Sequence, residues 1–165
     1  MSIIIKSKPI LIFIIIGIFF TGCADENESD ISDEDSELAL ELWSELDGYI
    51  NWQQHSDFTG IVQSSSVHGD YVQIWLNETA MLGIDSGGYS LPLSSIIVKE
   101  GYPDSTGNNV NNVTVMKKIT EYDSENNDWF WASYKSSGEI NDAGKINNCI
   151  SCHNPGKDYI LFVDW

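Results

Sequence analysis

From Ser36 the chain reads SELALELWSELDGYINWQQ, and its apolar positions Leu38, Leu42, Leu46, Tyr49 and Ile50 recur at spacings of three and four. That is the stripe of an amphipathic helix, with Trp43 and Trp52 widening the face that seeks a core. Ser36 is placed to cap the helix, and the acids of its first turn suit the positive end of the dipole. Beyond Phe58 the pattern becomes strand-like. In DYVQIWLN, Val72, Ile74 and Leu76 alternate with Tyr71, Gln73 and Trp75, and SSIIVKE is a short β-branched run. NVTVMKKITEY and DWFWASYK read as longer neighbours joined by the turn DSENN, and YILFVDW reads as a closing strand. MLGIDSGG, GYPDSTGNN and SSGEINDAG read as turns and loops. One helix followed by five or six strands with no helix between them predicts an α+β, mainly β domain, its N-terminal helix packed on an antiparallel sheet.

Upstream the pattern has a different meaning. MSIIIKSKPILIFIIIGIFFTGC carries Lys6 and Lys8, then an apolar run from Ile10 to Phe20. A basic start, a short apolar core and small residues before a cleavage point describe a secretory signal over residues 1–22. The run is short of the roughly 20 apolar residues that span a bilayer. Phe20-Thr21-Gly22-Cys23 resembles a lipobox, with Phe20 where such boxes prefer Leu, so Cys23 is the expected lipidation site. The alternative is an ordinary signal peptide with a spare cysteine. ADENESDISDEDSE then holds eight acids and no bases, too little apolar surface to order itself, and predicts a solvated tether over 23–37. Roughly 130 residues remain, 38–165, enough for one domain with a real core.

The 165-residue chain carries a formal charge of −17, and loss of the signal leaves 25 acids against 6 lysines. Nothing here supplies a phosphate-binding patch, which argues against nucleic acid, and charge alone would not hold the protein on an anionic lipid surface. A basic redox partner would be attracted. The bacterial cell envelope, periplasmic side, is the expected location. Ala24, where an acidic residue would favour inner-membrane retention, inclines the anchor toward the outer membrane.

With Cys23 assigned to the anchor, the other two cysteines fall in NNCISCHNPGKDY. Cys149, Cys152 and His153 form the Cys-x-x-Cys-His arrangement that attaches c-type haem. Each thiol adds to one haem vinyl group, and the adjacent histidine reaches the iron from one side. An export signal supports this chemistry, because such haem is attached outside the cytoplasm. Other readings exist. A structural zinc site needs four ligands, and the fourth would be a distant His55 or His68. A redox dithiol normally sits in a βαβ unit, and an oxidising compartment also permits a structural disulfide.

On VHGDYVQIWLNETA, SSIIVKE, VTVMKK, NDWFWASYKSSGEI and CISCHNPGKDYILF, from about His68 to the end, the chain resembles the cytochrome P-460 family. The resemblance implies an exported, mainly β, often dimeric monohaem protein carrying one covalent haem c. Family members include hydroxylamine oxidases and binders of nitric oxide or similar gases. In the oxidases a lysine is joined to the haem macrocycle, and Lys99 of Ile96-Ile97-Val98-Lys99-Glu100 falls at the matching position. A buried, partly neutral lysine would suit that role; a solvent-facing one, or one paired with Glu100 or a haem propionate, is the plainer alternative. Some oxidases also carry a distal arginine. This chain has no arginine, so distal acid–base help falls to His68, Glu100 or another group. His68 is also a possible sixth iron ligand, or simply a turn residue. Met116 alternates as a core residue. Trp129, Phe130, Trp131 and Tyr134 would wall the haem or form ordinary sheet core. The implied functions are oxidation of hydroxylamine or a related small nitrogen species, or non-catalytic electron transfer or gas binding.

Overall fold

The computed structural model describes residues 31–161. The signal segment, Cys23, the tether up to residue 30 and the end of the expected closing strand lie outside the described residues.

Helix α1 spans Asp33–Glu45 and starts earlier than its apolar stripe announces. Ser32, not Ser36, is the N-cap: its hydroxyl accepts from the Asp35 amide at 3.1 Å. Asp33, Glu34 and Asp35 fill the first turn, where the unpaired amides favour negative charge. Residues 33–37, expected in the solvated tether, are therefore helical. Ala39, Leu42 and Leu46 are buried, whereas Ile50 is 58% exposed. The helix has ended by then, and a separate 3-10 turn over Tyr49–Asn51 changes the phase of the stripe.

Six strands follow: β1 Val62–Ser66, β2 Gly69–Leu76, β3 Ile96–Tyr102, β4 Asn112–Lys118, β5 Trp129–Tyr134 and β6 Ile140–Gly144. Each pairs antiparallel with the next, in the order β1-β2-β3-β4-β5-β6. Three expectations change. MLGIDSGG lies largely within helix α2, Glu78–Asp85, capped by the Asn77 side chain, which accepts from Ala80 N at 2.9 Å and Ile96 N at 3.0 Å. SSGEINDAG contains β6, recognisable only through its pairing with β5. The closing strand fails at its start. Asp158 and Tyr159 have φ of 49° and 65°, outside the β region, and Ile160 makes only an isolated bridge to Lys157. Helix α3, Asn147–His153, carries the Cys-x-x-Cys-His residues.

Strand alternation sorts side chains onto two faces, and both are covered. On one, Ile96, Val98, Val113, Val115, Phe130, Ala132 and Tyr134 share a buried cluster with Ala39, Leu42 and Leu46. The Tyr134 hydroxyl donates to the Ala39 carbonyl at 2.8 Å. On the other, Ile74, Leu76, Ile97, Met116, Trp129 and Trp131 cluster with Ala80 and Ile84, and Cys149 and Ile150 pack against them.

Glu100 faces the α1 side and is 5% exposed. Its carboxylate accepts from Tyr49 Oη at 2.6 Å, Tyr102 Oη at 2.6 Å and Trp75 Nε1 at 3.0 Å. Removing it takes the acceptor from three donors, of which Tyr102 Oη keeps only a 3.5 Å bond to Gln73 Oε1. An unsatisfied donor costs on the order of 1–3 kcal/mol where water cannot reach. Glu100→Ala is expected to lower unfolding stability in urea by about 3–5 kcal/mol. A loss below about 1 kcal/mol would contradict this structural role.

Candidate functional site

A cavity of about 440 Å³ lies between the β3–β5 surface and α3. Cofactor and ligand pockets commonly measure roughly 300–1,000 Å³, with apolar walls and a few placed polar groups. Ile97, Met116, Trp131 and Ile160 supply apolar wall; His68, Lys99, Thr114, Cys149, Cys152 and His153 supply the chemistry. The Trp131 indole N–H is buried without a hydrogen-bond partner.

Helix α3 explains the grouping of the motif. Residues three and four apart share a helix face, so Cys149, Cys152 and His153 line one wall. Both thiols are free. Burial, with Asp142 and Cys152 adding to it, pushes the Cys149 thiol up to about 11. Burial therefore disfavours the thiolate, the form that zinc binding and dithiol exchange use. Nor is a zinc set assembled. His55 caps a short 3-10 turn and is absent from the cavity wall. Among the described residues no three His, Cys, Asp or Glu converge on an ion site.

His153 is oriented through its far nitrogen. Nδ1 lies 2.8 Å from the Tyr159 carbonyl oxygen. A carbonyl can only accept, so Nδ1 carries the proton and Nε2 is left with a free lone pair, the tautomer a metal requires. Burial lowers the His153 pKa, the Tyr159 bond opposes this, and the Lys99 charge lowers it further. Trp131 packs against the ring at 5.0 Å between centroids.

The Tyr159 carbonyl is in turn fixed by Asp158, a residue the sequence pattern does not reveal. The Asp158 side chain is fully buried and pairs with Lys118 Nζ at 2.7 Å. It also accepts from Leu91 N at 2.6 Å, Asn127 Nδ2 at 3.0 Å and Ser90 Oγ at 3.1 Å. Trp129 Nε1 donates to its carbonyl at 3.0 Å, and Tyr159 Oη to Asn126 Oδ1 at 2.8 Å. These bonds hold two consecutive left-handed residues, a backbone state that costs a non-glycine residue on the order of 1–3 kcal/mol. Two signals were available. Asn-Pro-Gly marks a turn after the motif, and Lys118 shares the inward face of β4 with Thr114 and Met116.

Opposite α3, Lys99 pairs with Thr114 in the β3–β4 register. Lys99 enters the cavity, and burial lowers its pKa from 10.5 to about 8. His68 sits at the β1–β2 turn, its Nδ1 3.1 Å from Thr114 Oγ1. Its ring is 6.2 Å from that of His153. Two features hold its backbone in place. Asn112 Nδ2 donates to the His68 carbonyl at 3.0 Å, and a Cβ on Gly101 would fall 1.8 Å from that oxygen.

Lys99, His68 and the motif residues are thus brought together. Glu100 is not: as the strand neighbour of Lys99 it points to the opposite face, which removes it as a distal acid–base group. Of the four candidate aromatics, Trp131 lines the cavity. Phe130 and Tyr134 belong to the α1-side core, and Trp129 packs beneath Asp158. Met116 lines the cavity as a buried core residue.

A mainly β domain with a Cys-x-x-Cys-His helix closing an apolar cavity, and a histidine with Nε2 free, has the features of a haem-binding cytochrome. The chain belongs to the cytochrome P460 family, whose model matches residues 46–162, most of its length. No curated protein is matched by the sequence.

Two outcomes follow from the geometry. Asp158→Ala leaves Lys118 as an uncompensated buried charge, and should lower stability by about 3–5 kcal/mol in urea denaturation; an unchanged midpoint would contradict the anchoring role. In haem-free protein, labelling of Lys99 by an amine-acylating reagent should titrate with a midpoint near pH 8. The protonated form dominates below that pH and the reactive neutral amine above it. A midpoint near 10.5 would show the amine to be solvated.

Proposed function

We propose that this protein is an exported, lipid-anchored monohaem c-type cytochrome with a redox role at the haem iron. Cys149 and Cys152 are the thioether positions and His153 is the axial ligand. The observation that carries this reading is the His153 tautomer: Nδ1–H is committed to the Tyr159 carbonyl, on the same helix face as two free thiols. Haem supplies one-electron chemistry and an iron site for small ligands. The chain's own residues hold the macrocycle, orient the imidazole, exclude water with Ile97, Met116 and Trp131, and place the Lys99 amine inside the cavity.

The Lys99 position supports oxidation of hydroxylamine or a related small nitrogen species, with Lys99 as the counterpart of the cross-linked lysine in such family members. Electron transfer or binding of nitric oxide or a similar gas is the second reading. It is favoured by a histidine, not an arginine, as the second basic residue of the cavity. The signal-like residues 1–22, the lipobox ending at Cys23 and the acidic stretch after it support anchoring at the periplasmic side of the envelope. The excess of acids supports a basic redox partner.

The test is co-expression with a c-type haem maturation system, followed by intact mass and oxidised and reduced optical spectra. One covalent haem, lost in Cys149→Ala/Cys152→Ala, is the expected result. A strongly red-shifted reduced Soret band that disappears in Lys99→Ala would favour hydroxylamine oxidation. An ordinary c-type spectrum would favour electron transfer or gas binding. Absence of covalent haem would overturn the proposal.

A further inference from the structure

The cavity presents two imidazoles, each held by a hydrogen bond at Nδ1. Thr114 Oγ1 lies between the Lys99 carbonyl, at 3.3 Å, and His68 Nδ1, at 3.1 Å. A hydroxyl has one proton, and the carbonyl can only accept it. With the Thr114 proton on Lys99 O, the hydroxyl accepts from His68 Nδ1–H. In that arrangement His68 has its lone pair on Nε2, the tautomer that the Tyr159 carbonyl imposes on His153.

The positions agree with the protonation. The His68 and His153 rings stand with centroids 6.2 Å apart at 82° to one another, both lining the cavity. Two nitrogens on opposite sides of one metal, at about 2 Å per bond, stand about 4 Å apart. The 6.2 Å between centroids is wide enough for that gap where the two Nε2 atoms face one another. His68 is also held firmly for a turn residue: Asn112 grips its carbonyl, and Gly101 gives that carbonyl room that no side chain would allow.

We propose that His68 is the second axial ligand of the haem iron, giving a bis-histidine centre in which both imidazoles are oriented through Nδ1. This rests on the haem reading above and decides what the iron does at rest. With both axial positions filled by nitrogen the protein transfers electrons, and a small ligand reaches the iron only by displacing His68.

The experiment is pulsed EPR on the full-length ferric protein, carrying covalent haem and selectively labelled with 15N-histidine. His55 is remote from the cavity wall, so the labelled nitrogens coupled to iron report His68 and His153. The expected result is a low-spin centre with two histidine nitrogens, converted to high spin in His68→Ala and returned to low spin by added imidazole. A high-spin wild-type centre, or a low-spin centre with a single histidine nitrogen, overturns the proposal without reference to any variant. A low-spin signal that survives His68→Ala does so as well. Haem found by mass but ligated by one histidine leaves the cytochrome reading standing and removes only this inference; absence of covalent haem removes both.

Discussion

A buried ion pair under the last turns of the chain governs the geometry of the haem-binding corner. Lys118 and Asp158 meet at 2.7 Å with 6% and 0% of their side chains exposed. Taking two charges out of water is costly, and such a pair is tolerated only when further hydrogen bonds satisfy the remaining donors and acceptors. Here Ser90, Leu91 and Asn127 supply them. The pair joins β4 to the segment after α3 at one fixed place. That junction holds Tyr159 in a left-handed conformation, aims its carbonyl at His153 Nδ1 and frees Nε2. Polar groups outside the cavity wall thus set the orientation of His153.

The sheet divides the labour. Adjacent residues in a strand face opposite ways, so Lys99 and Glu100 have nothing to do with each other's chemistry. Glu100 belongs to the α1 side, where Tyr49, Trp75 and Tyr102 satisfy it and tie the segment after α1 to β2 and β3. Lys99 belongs to the other side, with Thr114, Met116 and Trp131. One face is a sealed core and the other is a core with a cavity left in it.

What the amino-acid pattern revealed follows from the range of the interactions involved. The α1 stripe and the alternation in β2 through β5 are local and were readable. Its N-cap was misplaced because Ser32 and Ser36 are both followed by acids, and only hydrogen bonding distinguishes them. β6 and α2 were taken for loops because the stretches that overlap them, SSGEINDAG and MLGIDSGG, are rich in Gly, Asp and Ser, while tertiary contacts supply their order. The motif Cys149, Cys152 and His153 was legible as a local Cys-x-x-Cys-His spacing, while the helix that carries it was not. Lys99 was placed through family resemblance, with its face left open; its cavity-side position comes from the structure. Asp158, Lys118 and Thr114 were not found as site residues, since their roles join segments about 40 residues apart or depend on which hydroxyl carries which proton. Glu100 was named for a role that its own strand neighbour excludes.

The central claim is that His153 meets iron through Nε2 because the Asp158-anchored loop holds its Nδ1, on the sheet face that carries Lys99. A crystal structure of the haem-loaded protein tests this most directly. The account predicts haem against Lys99, Thr114, Met116 and Trp131, with His153 Nε2 on iron and Nδ1 still on the Tyr159 carbonyl. Haem on the α1 side of the sheet, or His153 turned so that its bond to Tyr159 is lost, would contradict it.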